Sequence, residues 1–147
     1  MFYKDMTNNN IRLQHDLVFR NDIGELPRVE AFLDGIESGF SIGAVAMNKI
    51  RLAVEELVVN VIKYAYPENI DGEIALTASL DGRMLTIEIA DCGVPFNPTA
   101  VAVPDTNAPL EERPIGGLGI HLAKNMVDEM DYEYRDGYNV LSLKKLI

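Results

Sequence analysis

Residues 72–93, GEIALTASLDGRMLTIEIADCG, alternate apolar and polar side chains on either side of Asp81-Gly82. Side chains along a strand point to opposite faces in turn, so this alternation describes two strands with one buried face each. Asp-Gly between such runs is a favoured two-residue hairpin turn, because glycine enters the left-handed region without steric cost. The pattern recurs in YEYRDGYNVLSLKKL, residues 132–146, around Asp136-Gly137. A sheet built from these hairpins has one apolar face, and the rest of the chain must cover it.

Helical periodicity supplies the cover. Residues 25–38 place Leu26, Val29, Phe32, Leu33 and Ile36 on one face, with Pro27 tolerated in the first turn. A longer helix is predicted from about 43 to 65, stopping before Pro67. A third runs from Leu118 to about Met130, with Ile120, Leu122, Ala123, Met126 and Val127 facing inward. Residues 11–20, IRLQHDLVFR, alternate as a half-buried strand does. The order β-α-α-β-β-α-β-β predicts an α+β fold: a two-layer sandwich, mostly antiparallel, with helices on one face of the sheet. A length of 147 residues suits one domain, read as 11–147. The stretch MFYKDMTNNN, residues 1–10, lacks the apolar core of a signal peptide and is expected to be a frayed tail.

Composition narrows the partners. A net charge of −10 with no Lys/Arg cluster repels nucleic acid and anionic lipid, so neither is an expected partner. No apolar run reaches the roughly 18 residues that a membrane span needs. The single cysteine, Cys92, excludes an internal disulfide and fits a reducing cytoplasm. His15 and His121 have no second ligand at metal spacing. Residues 94–115, VPFNPTAVAVPDTNAPLEERPI, hold five of the seven prolines and no sustained period. Irregular connections of this length serve as lids or are disordered, and the flanking glycine motifs favour a lid.

One stretch of the second helix conflicts with burial. In EELVVNVIKYAY, residues 55–66, Glu56, Asn60 and Lys63 lie at roughly 0°, 40° and 340° around the axis, a narrow polar stripe. Ala53, Val54, Leu57, Val58, Val61 and Ala65 cover a broad apolar arc beside it. Glu55 points elsewhere, where Arg51 one turn earlier is placed to pair with it. Either the stripe is the solvated side of the helix, or it floors a pocket for a charged ligand. In the second case Asn offers a hard neutral oxygen to a divalent cation. Lys neutralises phosphate oxygens, and Glu accepts a proton from a hydroxyl.

Two glycine motifs bear on that choice. In IADCGVPF, residues 89–96, Asp91 ends an apolar strand two residues before Gly93. The acid is either a turn former or an acceptor for an exocyclic amine, with glycine letting a ring approach the backbone. RPIGGLGIHLAKN, residues 113–125, sets Gly116, Gly117 and Gly119 at the entry to the third helix. Free N–H groups and the helix dipole attract anions at such an entry. The alternative is a merely flexible helix entry.

Together, EELVVNVIKYAY, DCG and GGLGIHL resemble the N, G1 and G2 boxes of the Bergerat-fold ATPases. That superfamily includes DNA gyrase, heat-shock chaperone ATPases, histidine kinases and mismatch-repair ATPases. The short chain looks most like its anti-sigma factor serine/threonine kinase branch, over residues 11–146. The resemblance implies ATP and Mg²⁺ as cofactors, with Asn60 binding the metal and Glu56 acting as catalytic base. It implies phosphate contact by Lys63 and an adenine-reading role for Asp91, with Gly93 beside the base. Gly116, Gly117, Leu118 and Gly119 would shape the lid and contact phosphates. It further implies an anti-anti-sigma-type protein as phosphoacceptor, a sigma factor as a second partner, and homodimerisation. Two departures stand out. Some kinases of this branch carry an arginine two residues before their G-x-G, whereas Arg113 lies four before Gly117. A threonine common near adenine in the last hairpin is replaced by Asn139. Two alternatives keep the same fold: an ATP-gated protein-binding regulator without phosphotransfer, and a detached histidine-kinase ATP domain.

Overall fold

A computed structural model of the chain describes residues 3–5, 12–102 and 117–147. Six strands form one sheet: β1 (Tyr3–Asp5), β2 (Arg12–Arg20), β3 (Glu73–Asp81), β4 (Met84–Asp91), β5 (Glu129–Arg135) and β6 (Tyr138–Leu146). Their order is β1-β2-β3-β4-β6-β5, and every described pairing is antiparallel. Helices α1 (Leu26–Gly39), α2 (Ala44–Tyr64) and α3 (Gly117–Met126) pack on the sheet through a single apolar cluster. The two-layer α+β architecture anticipated from the alternation is the one observed. Among the described residues no helix is long and apolar enough to cross a membrane.

The hairpin turns follow their glycines. In the β5–β6 hairpin Arg135 pairs with Tyr138, so Asp136 and Gly137 are the turn residues, both at positive φ (54° and 85°) as a type I′ turn requires. The first hairpin differs by one residue from the expected turn. Asp81 pairs with Met84, so the turn residues are Gly82 and Arg83, with Gly82 alone at positive φ (61°). Glycine at the first central position belongs to a type II′ turn, and this register keeps Leu80 and Leu85 on the buried face.

Two boundaries depart from the sequence reading. In place of a wholly frayed tail, Tyr3–Asp5 add a strand to the edge of β2. The third helix stops at Met126 rather than near Met130. Asp128 accounts for this, because its N–H donates to the Lys144 carbonyl (2.9 Å) and its carboxylate accepts from the Leu146 N–H (2.7 Å). The chain is thereby committed to the sheet, and Met130 packs against the core from a strand.

On the helical layer, α1 buries Val29, Phe32, Leu33 and Ile36, and α2 buries Met47, Ile50, Ala53, Val54, Leu57 and Val58. Arg51 does not pair with Glu55. Its guanidinium bridges to three acids of α1, Glu30 (3.1 Å), Asp34 (2.5 Å) and Glu37 (2.8 Å), and so clamps α1 to α2. Glu55 instead shares a hydrogen bond with the Glu30 carboxyl. That bond, burial and the Glu30 charge together raise its pKa from an ordinary 4.5 to about 7, against the opposing charge of Arg51.

A raised carboxyl pKa means the folded state holds a proton that the unfolded chain releases. The stabilising contribution is complete below about pH 4.5 and disappears as pH rises through about 7. Glu55→Gln keeps a hydrogen-bond donor toward Glu30 without the ionisation. Urea denaturation should therefore show the variant more stable than wild type at about pH 8, and the difference should vanish near pH 4.5. A pH-independent difference would remove the shared proton from this account.

Candidate functional site

Asn60 of the α2 polar stripe and the end of β4 meet at a cavity of about 360 Å³, within the range of small-molecule sites. Its walls are mostly apolar, from Leu57 and Val61 of α2, Ile89 and Leu141 of the sheet, Ile120 of α3 and the loop Val94-Pro95-Phe96. The polar groups on the wall include Asn60, Asp91 and Asn139. Tyr64, half exposed, lines the rim.

Asp91 is the last residue of β4 and is 5% exposed. Its Oδ1 accepts from the Gly93 N–H (2.8 Å) and from Asn139 Nδ2 (2.9 Å). Both of these bonds end on Oδ1, so neither draws on the acceptor capacity of Oδ2. Asn60 presents the complementary vacancy: its Nδ2 is buried and has no partner among the described residues. An incompletely satisfied buried amide on a cavity wall is a ligand-holding arrangement. The unpartnered atom of Asn60 is its amide nitrogen, a donor for an anionic oxygen such as a phosphate's, while its Oδ1 is the neutral oxygen that a divalent cation would take. With the Asp91 carboxylate as an acceptor for an amine, the pair fits a nucleotide.

Gly93 is required by proximity rather than by φ. A Cβ here would overlap the carbonyl oxygen of Ala65 at the end of α2, and the adjoining Val94 N–H donates to that same oxygen (2.7 Å). Tyr66 stitches the same corner, accepting from the Cys92 N–H (2.9 Å) and donating to the Glu73 carbonyl (2.6 Å). Cys92 is exposed.

The rest of the stripe lies outside the cavity wall. Glu56 is half-buried, and its Oε2 sits 2.5 Å from where a Cβ at Gly119 would be. Gly119, in the first turn of α3, therefore makes room for the Glu56 carboxylate, a role that the glycine pattern alone did not indicate. Lys63 is exposed on the last turn of α2. Gly117 begins α3 and Leu118 is half exposed. Arg113 and Gly116 lie outside the described residues. Of the expected lid, residues 94–102 are described, and they are anchored. Pro98 is buried, and Lys124 of α3 donates to the Thr99 carbonyl (2.7 Å). The remainder of 94–115 also falls outside the described residues. Among the described residues no group of His, Cys, Asp and Glu is arranged to hold a metal, and His15 packs on Phe32.

The model of the histidine kinase-like ATPase domain matches residues 19–145. The chain is similar to a serine-protein kinase RsbW of Bacillus mycoides (strain KBAB4), 33% identical over 102 residues. It is also similar to a serine-protein kinase RsbW of Bacillus cereus (strain AH820), 32% identical over 99 residues. These alignments cover 67% and 65% of this chain but only 63% and 61% of those kinases' own lengths. Among solved structures, the RsbU and RsbW domains of Rv1364c from Mycobacterium tuberculosis superpose with a TM-score of 0.65. Identity there is 16%, over 90% of this chain and 32% of that one, which is a likeness of fold.

The Gly93 contact yields a direct test. Because the obstructing atoms are backbone, Gly93→Ala can be accommodated only by moving α2 and β4 apart, at a cost of about 1–3 kcal/mol. Gly43→Ala is the control, since nothing lies within 4 Å of a Cβ there. Equal urea midpoints for the two variants would show that the close approach is dispensable.

Proposed function

This chain belongs to the histidine kinase-like ATPase domain family, and on that premise we propose that it is an ATP-dependent serine/threonine protein kinase of the anti-sigma factor type. It transfers the γ-phosphoryl group of ATP to a serine of an anti-anti-sigma-type protein, and a sigma factor and a second copy of the chain are its further partners. The observation that carries this reading is the meeting of Asp91 and Asn60 on one apolar cavity wall, each with hydrogen-bonding capacity left over.

In this reading adenine occupies the apolar cavity and its amino group donates to Asp91 Oδ2, with Gly93 letting the ring approach the backbone. Asn60 would hold Mg²⁺ through its Oδ1, and the ion would supply positive charge beside the phosphates. The N–H groups at the start of α3, around Gly117, Leu118 and Gly119, face the phosphates, and Lys63 adds a cation from the end of α2. Glu56 accepts the proton of the acceptor serine as the serine oxygen bonds to the γ-phosphorus and the bond from that phosphorus to the bridging oxygen breaks, releasing ADP. Positioning and electrostatics supply most of the rate in such a transfer. ATP-gated protein binding without phosphotransfer is the second reading. One observation favours it: Glu56 rests against Gly119 rather than on the cavity wall.

Glu56→Gln separates the two. It should retain Mg-ATP binding while losing about 10²–10⁴-fold in phosphotransfer to an anti-anti-sigma-type protein. Asn60→Ala should lose both. Acid-stable, alkali-labile phosphate on the acceptor identifies serine and excludes a histidine acceptor. Wild-type phosphotransfer from Glu56→Gln would mean that another group is the base.

A further inference from the structure

Asn139 stands where an adenine-contacting threonine was the expectation, and its surroundings give it a different task. It is 6% exposed and lies directly opposite Asp91 in the β4–β6 register. Nδ2 donates to Asp91 Oδ1 (2.9 Å) and to the Val94 carbonyl (3.1 Å), with the Gly93 carbonyl at 3.4 Å. Oδ1 accepts from the Phe96 N–H (3.2 Å) and the Tyr132 hydroxyl (2.5 Å). A primary amide has two donors and two acceptor lone pairs, and all four are engaged within the protein. The orientation is also unique. Reversing the amide would set NH₂ against the Phe96 N–H and a carbonyl against Asp91, Val94 and Gly93.

Resting on the nucleotide-site reading above, we propose that Asn139 is a positioning residue for base recognition, fixing through one amide both Asp91 and the loop 93–96. By occupying Asp91 Oδ1 from the strand side, the amide leaves Oδ2 as the acceptor toward the cavity. By holding the Val94 carbonyl and the Phe96 N–H, it fixes the loop whose side chains form one apolar wall. The same loop is held from its other side by the Ala65 carbonyl. Preference for an amine over a carbonyl on the base therefore depends on a residue that has no hydrogen-bonding group left for the ligand.

The test is Asn139→Asp, which keeps the shape and the acceptor for Phe96 and Tyr132 but turns the donor into a second carboxylate facing Asp91. Two adjoining carboxyl groups do not both ionise readily, and one shared proton restores a donor. The other ionisable groups around the cluster are the phenols of Tyr132 and Tyr66 and the Cys92 thiol; wild type and Asn139→Ala carry the same three groups, so their pH dependence is the baseline against which Asn139→Asp is read. Calorimetric titration with Mg-ADP should show the variant about 30-fold weaker than wild type near pH 8.5 and within about 3-fold near pH 5.5. Asn139→Ala should be about 10-fold weaker at both pH values and should discriminate less between ADP and GDP. It supplies the answer if the acidic variant fails to fold at high pH. Unchanged affinity and base preference in Asn139→Ala, with only a lowered melting temperature, would overturn the proposal, as would pH-independent binding by a folded Asn139→Asp. Absence of Mg-ADP and Mg-ATP binding by wild type would remove the nucleotide-site reading itself, and this inference with it.

Discussion

The cavity exists because the end of α2 and the end of β4 meet backbone to backbone. The Ala65 carbonyl, freed from the helix ladder at the C-terminus, accepts the Val94 N–H, and Gly93 passes it with no room for a side chain. Tyr66 seals the junction by bonding both Cys92, the residue after β4, and Glu73 at the start of β3. With that corner fixed, the chain leaving β4 is directed over the sheet end instead of along it. The loop 94–96 then becomes a wall, and Asn60 of α2 and Asp91 line the same cavity. A single close contact thus converts a sandwich into a sandwich with an opening in its core.

How much of this was legible in the sequence depended on whether the deciding interaction was local. The hairpins were, because alternation and Asp-Gly are read within a few residues; Asp136-Gly137 sits at the turn as expected. The shift at Gly82 arises because sheet register, set by the buried face, chose between two adjacent placements. The early end of α3 was not legible. Residues 127–130 continue an apolar period, and only the bonds from Asp128 to the distant β6 override it. Arg51 is a parallel case: its partners are two turns of a different helix, which intrahelical spacing does not reveal. The stripe of Asn60 and the strand-end Asp91 were legible as oddities, polar groups where burial was due. The Asn139 network was not, since it joins the stretch 91–96 to a hairpin some 40 residues further along the chain.

In the proposed reading, charge explains why the site works through its amides and helix end. On the two helices that line the cavity, Lys124 of α3 is spent on the Thr99 carbonyl and Arg51 of α2 on three acids of α1. Lys63 remains, exposed on the outside of α2. In a chain of net charge −10, one solvated ammonium cannot offset the charge of a polyphosphate, because its field is screened within about 10 Å. A divalent ion held by a neutral amide is a stronger local charge than any side chain here, and the first-turn N–H groups of α3 are fixed dipoles that cost nothing to reorganise. Under the proposed reading Asn60 and the entry to α3 therefore carry the phosphate end of the site, and Lys63 tunes it. The same logic sets the division of labour along the cavity. In that reading the base end depends on one carboxylate held in place by Asn139, and the phosphate end on a cation that the protein must recruit.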